Sequence, residues 1–152
     1  MPMFKMLALL SLVTVAQLRA TRVVIEHTKD TLAVVKENVD KKKAVLVDVR
    51  NLTEWRQGNI EGAIFVPVDS LGKNVDREAL AKKLPNDKIL YTFCAVGMRA
   101  KTAAKRLQEL GYKDVRALKP GYDDLIKAGF KKGSSDTKAA ASDENTRQRD
   151  AR

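Results

Sequence analysis

A chain of 152 residues has the usual length of one domain, and its 44% of hydrophobic residues can form one ordinary buried core. The net charge is +10, but the basic residues lack the interleaved aromatics of single-strand nucleic-acid binders, so we expect small anions or acidic proteins as partners and no nucleic acid. The single cysteine, Cys94, excludes an intramolecular disulfide and a four-cysteine zinc site.

The first twenty residues have the three parts of a secretory signal. The basic Lys5 precedes an uncharged stretch at residues 6–18, and cleavage is expected after Ala16 or nearer Ala20. The apolar run is shorter than the about 20 residues of a membrane span. We therefore predict a signal peptide at residues 1–20 and a periplasmic or secreted protein without a stable membrane span. The alternative is a cytoplasmic protein whose N-terminal helix packs on the domain.

The next part of the chain, residues 21–133, alternates short apolar runs with helical periodicity, which predicts an α/β fold. Strands are predicted from apolar runs that contain β-branched residues, at residues 23–25, 44–49, 63–66, 89–93 and 115–118. Helices are predicted to start after a cap at Thr28 or Asp30, after a cap at Asp76, at Arg99 and at Tyr122. Beyond Gly133 large apolar residues almost disappear, so residues 134–152 are expected to be a disordered polar tail.

The segment between the strand at 89–93 and the helix at Arg99 carries the candidate chemistry. A loop that joins a buried strand to a helix can turn several N–H groups inward, and the helix dipole adds positive potential there. We expect this field to favour the Cys94 thiolate, which is the nucleophilic form. Gly97 permits the positive φ that closes the loop, and Arg99 adds a fixed cation with forked donors.

These residues resemble the rhodanese family of sulfurtransferases, in the single-domain form. The resemblance extends over residues 22–130 and rests on motifs in the same order, namely Asp48-Val49-Arg50, Glu54-Trp55, residues 58–64, Pro67, the segment from Cys94 to Ala100, Leu118 and Pro120-Gly121-Tyr122. It implies a three-layer fold in which helices flank a central, mostly parallel sheet of five strands. The domain is expected to be a monomer.

The resemblance also implies an activity and a set of site residues. Cys94 would accept a sulfur atom as a persulfide, and Arg99 would orient the donor. The remaining members of the active-site loop are Ala95, Val96, Gly97, Met98 and Ala100. Asp48, Arg50 and Glu54 would be supporting residues, and we expect them to brace the fold through ion pairs rather than to take part in the chemistry.

The implied substrates are a small sulfur donor, such as thiosulfate or a persulfide, and an acceptor such as cyanide or a thiol, including a thioredoxin-like protein. No metal and no organic cofactor is expected. Three departures from the family pattern bear on donor preference, because Asn59, Glu61 and Ala100 stand where histidine, proline and serine are common. His27 lies before the first helix and is interpreted as a strand-end residue rather than a general base.

Other classes of protein share parts of this pattern. Cysteine phosphatases and arsenate reductases also place a thiolate and an arginine around an anion, but their loop has five residues between the two, and only four lie between Cys94 and Arg99. The tighter ring suits a persulfide sulfur better than a phosphate. A non-catalytic module that binds a protein, and a carrier loaded by a dedicated partner, remain open alternatives.

Overall fold

The computed structural model describes residues 25–134. Helices and strands alternate along this range, as the sequence predicted. The elements in chain order are α1 (Leu32–Asp40), β1 (Ala44–Asp48), α2 (Leu52–Gln57), β2 (Ile64–Phe65), a short 3-10 helix (Val68–Leu71), α3 (Arg77–Lys83), β3 (Ile89–Phe93), α4 (Met98–Glu109), β4 (Val115–Ala117) and α5 (Tyr122–Lys127).

The described strands form a parallel sheet in the order β2-β1-β3-β4. The sequence predicted a fifth strand at 23–25, most of which lies outside the described residues. Within them, His27 makes a single parallel bridge to Ala117 of β4, and the Thr28 N–H donates to the Ala117 carbonyl at 2.8 Å. The sheet of the described residues therefore has four strands, and the segment around His27 covers its β4 edge.

The sheet has a hydrophobic core on each face, which makes the described fold three layers deep. Alternate residues of a strand point to opposite faces. Ala44 and Leu46 of β1 accordingly join the core formed with α1, α2 and α5, whereas Val47 joins the core formed with α3 and α4. Burial on both faces explains why these strands read as continuous apolar runs in the sequence.

Several element boundaries differ from the sequence prediction, for local reasons. The cap of α1 is Thr31, not Thr28 or Asp30, because its hydroxyl accepts the Val34 N–H at 3.3 Å. The helix α2 was not predicted, although Asn51 and Glu54 form a capping box at its start. Six residues are too few to show a helical period, so the box was its main sequence signal.

The carboxyl ends of β1 and β3 lie side by side and carry the residues of the candidate site. In parallel sheets with helices on both faces, ligands bind at this edge. The helices of the described residues include none long and apolar enough to cross a membrane. The predicted signal peptide and nearly all of the predicted tail lie outside the described residues.

Candidate active site

Cys94 directly follows β3 and lies beneath the start of α4. Its residue surface is 1% exposed, and the Gly97 N–H donates to its Sγ at 3.0 Å. The sulfur therefore sits at the N-terminal end of a twelve-residue helix, where the peptide dipoles sum to a partial positive charge. The N-terminal end of a helix is a position at which anions bind in proteins.

Gly97 gives the loop its shape. Its φ of +90° is left-handed, as the sequence predicted, and it forms the N-cap of α4. A Cβ at this position would lie 2.7 Å from the Nε2 of His27 and 3.0 Å from the carbonyl oxygen of Lys119. Glycine is therefore required here by both backbone conformation and space.

Two contacts hold the loop from outside, and neither was predicted from the sequence. The Nε2 of His27 lies 3.1 Å from the Gly97 carbonyl oxygen, so this histidine contacts the loop in addition to its single bridge to Ala117. On the other side the Tyr122 N–H donates to the Cys94 carbonyl at 3.0 Å. The preceding Gly121 allows this approach, since a Cβ there would overlap the Ala95 carbonyl.

Asp48 and Arg50 form a buried ion pair below the loop. Arg50 donates from Nε and Nη2 to the Asp48 carboxylate, with the shortest distance 2.7 Å, and Nη2 also donates to the Gly58 carbonyl at 2.7 Å. The Arg50 guanidinium stacks 4.3 Å from the centre of the Tyr122 ring. Burial raises the pKa of the Asp48 carboxyl, and the hydrogen bonds from Arg50 oppose that rise.

The Arg99 guanidinium is engaged by a carboxylate, because both of its terminal nitrogens donate to Glu54. The two distances are 2.6 Å and 2.9 Å. The hydrogen bond from Arg99 lowers the pKa of Glu54, and the same contact raises the pKa of Arg99. The structure thus brings Arg99 and Glu54 together across 45 residues of sequence. Donor orientation by Arg99 stays a prediction.

The other predicted loop residues divide between rim and core. Ala95 is exposed, Val96 is 76% exposed and Met98 is 67% exposed. Ala100 is fully buried and packs in the core shared with α3 and α4. Because α4 begins at Met98 rather than at Arg99, its first turn includes Met98, Arg99 and Ala100 of the predicted loop.

An open cleft of about 290 Å³ lies against the loop. It is lined by Arg50, Glu54, Gln57, Gly58, Ala95, Tyr122 and Asp123. The sequence had singled out Tyr122 as part of a motif without giving it a role, and Gln57 and Asp123 carried no signal of their own. Among residues 25–134, no group of three or more His, Cys, Asp or Glu side chains could hold a metal ion.

The departures at Asn59 and Glu61 contact residues near the end of the described chain. Asn59 is 1% exposed, and within the described range its side-chain nitrogen and oxygen have no hydrogen-bond partner. Its main-chain carbonyl accepts the Gly133 N–H at 2.9 Å. Glu61 is exposed, and its N–H donates to the Lys131 carbonyl. Both residues therefore border the C-terminal end of the domain.

Comparison with known proteins assigns most of the described residues to one domain family. The model of the rhodanese-like domain family matches residues 31–128. The human single-domain sulfurtransferase TSTD1 has a TM-score of 0.55 at 26% identity, over 69% of this chain and 96% of its own. The Alr3790 protein from Anabaena sp. reaches a TM-score of 0.60 at 20% identity, over 80% of this chain and 92% of its own, and shows the fold alone.

Curated relatives carry the same domain in longer chains. The tRNA uridine(34) hydroxylase of Protochlamydia amoebophila is 31% identical over 65% of this chain and 31% of its own length. The putative sulfur carrier protein YrkF of Bacillus subtilis is 27% identical over 62% of this chain and 48% of its own. This chain thus spans about a third to a half of the length of these two relatives. From its matched residues and its sheet topology, the chain belongs to the family of rhodanese-like domains.

Proposed function

We propose that this protein is a sulfurtransferase that moves sulfane sulfur from a donor to a thiophilic acceptor through a persulfide on Cys94. The observation that carries the proposal is the position of the Cys94 sulfur at the start of α4, where it accepts the Gly97 N–H at 3.0 Å. The names of a sulfur carrier and a sulfurtransferase among its relatives support the same chemistry.

The proposed cycle has two steps. The Cys94 thiolate attacks the outer sulfur of the donor, the donor's S–S bond breaks, and the donor remainder leaves with the bonding pair. With thiosulfate the leaving group is sulfite, and with an alkyl persulfide it is a thiolate. In the second step cyanide or a thiolate attacks the outer sulfur of the Cys94 persulfide, and the thiolate of Cys94 is restored. Sulfur is transferred without a net oxidant or reductant.

The N-terminus of α4 serves both steps. The persulfide anion occupies the region that favoured the thiolate, so the N–H groups and the helix dipole stabilise the intermediate as well as the nucleophile. Two separate half-reactions predict ping-pong kinetics.

Intact mass spectrometry tests the proposal. The protein is treated with a donor, freed of excess reagent and weighed, and we expect a gain of about 32 Da on the wild type and none on Cys94→Ser. Serine is close to cysteine in size, so the variant should keep the thermal unfolding profile of the wild type. A wild type that gains no sulfur from any donor of a panel would favour a non-catalytic binding module instead.

A carrier that is loaded by a dedicated protein is the second candidate function, favoured by the sulfur-carrier relative. Turnover separates the two. A carrier would gain sulfur slowly from small donors yet release it quickly to its partner, whereas an enzyme would complete many cycles with small donors and acceptors alone.

We further propose a periplasmic or secreted location, on the pattern of residues 1–20 alone. N-terminal sequencing of the native protein should find a start near Gln17 or Thr21. Recovery of an intact Met1 in the cytoplasm would contradict this proposal.

A further inference from the structure

The charges around the active-site cleft oppose the charge of the chain as a whole. The chain carries +10, yet both arginines beside the loop are bound by carboxylates. Asp48 pairs with Arg50, Glu54 pairs with Arg99, and Asp123 lines the same cleft. Two arginines and three carboxylates leave this region with one negative charge. The chain as a whole is basic, but this cleft has no excess of positive charge.

The Arg99–Glu54 pair has the geometry that removes a cation from substrate binding. One N–H on each terminal nitrogen of the guanidinium donates to Glu54, at 2.6 Å and 2.9 Å, so the fork between these nitrogens is filled and the Glu54 carboxylate offsets the positive charge that would attract an oxyanion. Glu54 is in turn held by the Asn51 N–H at 3.1 Å. A dianion at the loop would have to compete with the Glu54 carboxylate for Arg99, and Glu54 is held in place by the Asn51 N–H.

Lysines near the loop do not replace this lost cation. Lys101 is engaged with Glu26 at 3.7 Å. The main chain of Lys119 packs against Gly97, but this residue is exposed. A solvated ammonium offers a dianion only the screened attraction of a surface charge.

The rim of the loop is apolar instead. Three large hydrophobic residues of the described chain are strongly exposed, and two of them, Val96 and Met98, flank Gly97. Exposed apolar side chains at the entrance favour a substrate that brings carbon rather than charge into contact with the loop.

We propose that the natural sulfur donor is a monoanionic alkyl persulfide, that thiosulfate is a poor donor, and that Glu54 sets this preference by occupying Arg99. This inference rests on the proposed function and names its donor class. The Cys94 thiolate attacks the outer sulfur of the persulfide anion R–S–S⁻, the S–S bond breaks, the thiolate R–S⁻ leaves with the bonding pair, and Cys94 keeps the outer sulfur as a persulfide anion. The alkyl group contacts Val96 and Met98.

Three donors separate charge from leaving-group chemistry. They are the persulfide of N-acetylcysteine methyl ester, a monoanion, the persulfide of N-acetylcysteine, whose carboxylate makes it a dianion, and thiosulfate. The rate at which wild-type Cys94 gains sulfur is followed by intact mass at one low donor concentration. We expect the ester to load at least about tenfold faster than either dianion, which corresponds to about 1.4 kcal/mol. Equal rates for the two persulfides would overturn the proposal.

Glu54→Gln tests the role assigned to Glu54. The amide oxygen can still accept the Asn51 N–H, while Arg99 loses its charged partner. We expect the loading rate with thiosulfate, relative to the ester, to rise about tenfold. The matched control is Glu109→Gln, which makes the same change in net charge and also breaks a surface pair, with Lys105, at the far end of α4. An equal rise in the control would show an effect of overall charge and overturn the proposal.

A second variant covers the case in which Glu54→Gln does not fold. Ala95→Lys places a new, unpaired cation on an exposed position that lines the cleft. It should likewise raise the relative rate with thiosulfate, and an unchanged ratio would contradict the inference. If no donor adds sulfur to the wild type, the proposed function itself fails, which is a different outcome from loading without a preference.

Discussion

Two arginine–carboxylate pairs lie beside the Cys94 loop, and they differ in how far water reaches them. The side chains of Asp48 and Arg50 are 0% and 6% exposed, whereas those of Glu54 and Arg99 are 26% and 35% exposed. The buried pair has no solvent to replace a missing partner, so it serves as the floor of the site. The exposed pair is partly solvated, so water can replace a missing partner.

Burial therefore separates the roles of two chemically similar pairs. The buried pair supports the structure of the site, and the exposed pair can influence which donor binds. A buried ion pair adds little net stability over an apolar replacement of both partners, but the loss of one partner leaves an uncompensated charge. An exposed pair adds little in either case, because water solvates whatever is left. Substitutions that break one pair at a time test this difference.

The largest effect on stability is expected from a substitution in the buried Asp48–Arg50 pair. Arg50→Met should lower the free energy of unfolding by about 3–5 kcal/mol, because it leaves the Asp48 carboxylate buried and alone. The matched change at the rim, Arg99→Met, should cost less than about 1 kcal/mol. Urea unfolding of both variants measures the difference. Equal losses would show that burial does not separate the two pairs.

Gly97→Ala is expected to have the next largest effect, because a methyl group at this position strains the Cys94 loop. The new Cβ meets His27 at 2.7 Å and the backbone carbonyl of Lys119 at 3.0 Å, in addition to the cost of a positive φ. Gly111→Ala is the control, since its φ is +102° and nothing lies within 4 Å of a Cβ there.

We expect a cost of about 1 kcal/mol for the alanine at Gly111 and about 2–3 kcal/mol at Gly97, measured by urea unfolding. The Gly97 variant should also lose sulfur loading, because relief of the clash would displace the backbone N–H that donates to the Cys94 sulfur. Similar costs at the two glycines would mean that the loop yields to a methyl group more easily than its contacts suggest.

The two carboxylates should also respond differently to acid. The pKa of Glu54 is lowered by Arg99, so its contribution is present above the ordinary value of 4.5 and is lost as the pH falls through the folded pKa. The pKa of Asp48 is raised by burial, so its own titration disfavours folding as the pH rises through its window.

Urea unfolding of wild type and Glu54→Gln from about pH 3 to pH 6 checks the sign for Glu54. The wild type should be more stable above pH 4.5 by less than about 1 kcal/mol, and the advantage should shrink with acid. An advantage that grew towards low pH would reverse the assignment.

The sequence predicted what lies close together along the chain. The cysteine after β3, the glycine with positive φ and the helix that follows occupy one short segment, and strand-to-helix geometry determines their arrangement. The strands facing two cores were also predictable, because burial on both faces leaves continuous apolar runs. The fold class is confirmed, with four strands in the described sheet.

Contacts across the chain were not predictable from one sequence. Arg99 meets Glu54 over 45 residues and His27 meets Gly97 over 70, and neither pairing has a periodic signal. The sequence assigned Arg99 to the donor because a forked cation beside a cysteine suits an anion. Only the structure shows that the Glu54 carboxylate of α2 already binds both terminal nitrogens of Arg99 in α4.

The smallest effect on stability is expected from Val96→Ser, which tests the apolar rim of the loop. Val96 is 76% exposed, so its replacement should change the free energy of unfolding by no more than about 0.5 kcal/mol. If the alkyl part of the donor contacts this side chain, the loss of apolar contact should slow loading from the persulfide ester about two- to fivefold. Loading from thiosulfate, which has no carbon, should stay unchanged.

Val34→Ser is the control, because Val34 is an exposed valine on α1, and it should leave both rates as they are. A loss with thiosulfate as large as that with the ester would place Val96 in the general shape of the loop rather than in contact with the donor.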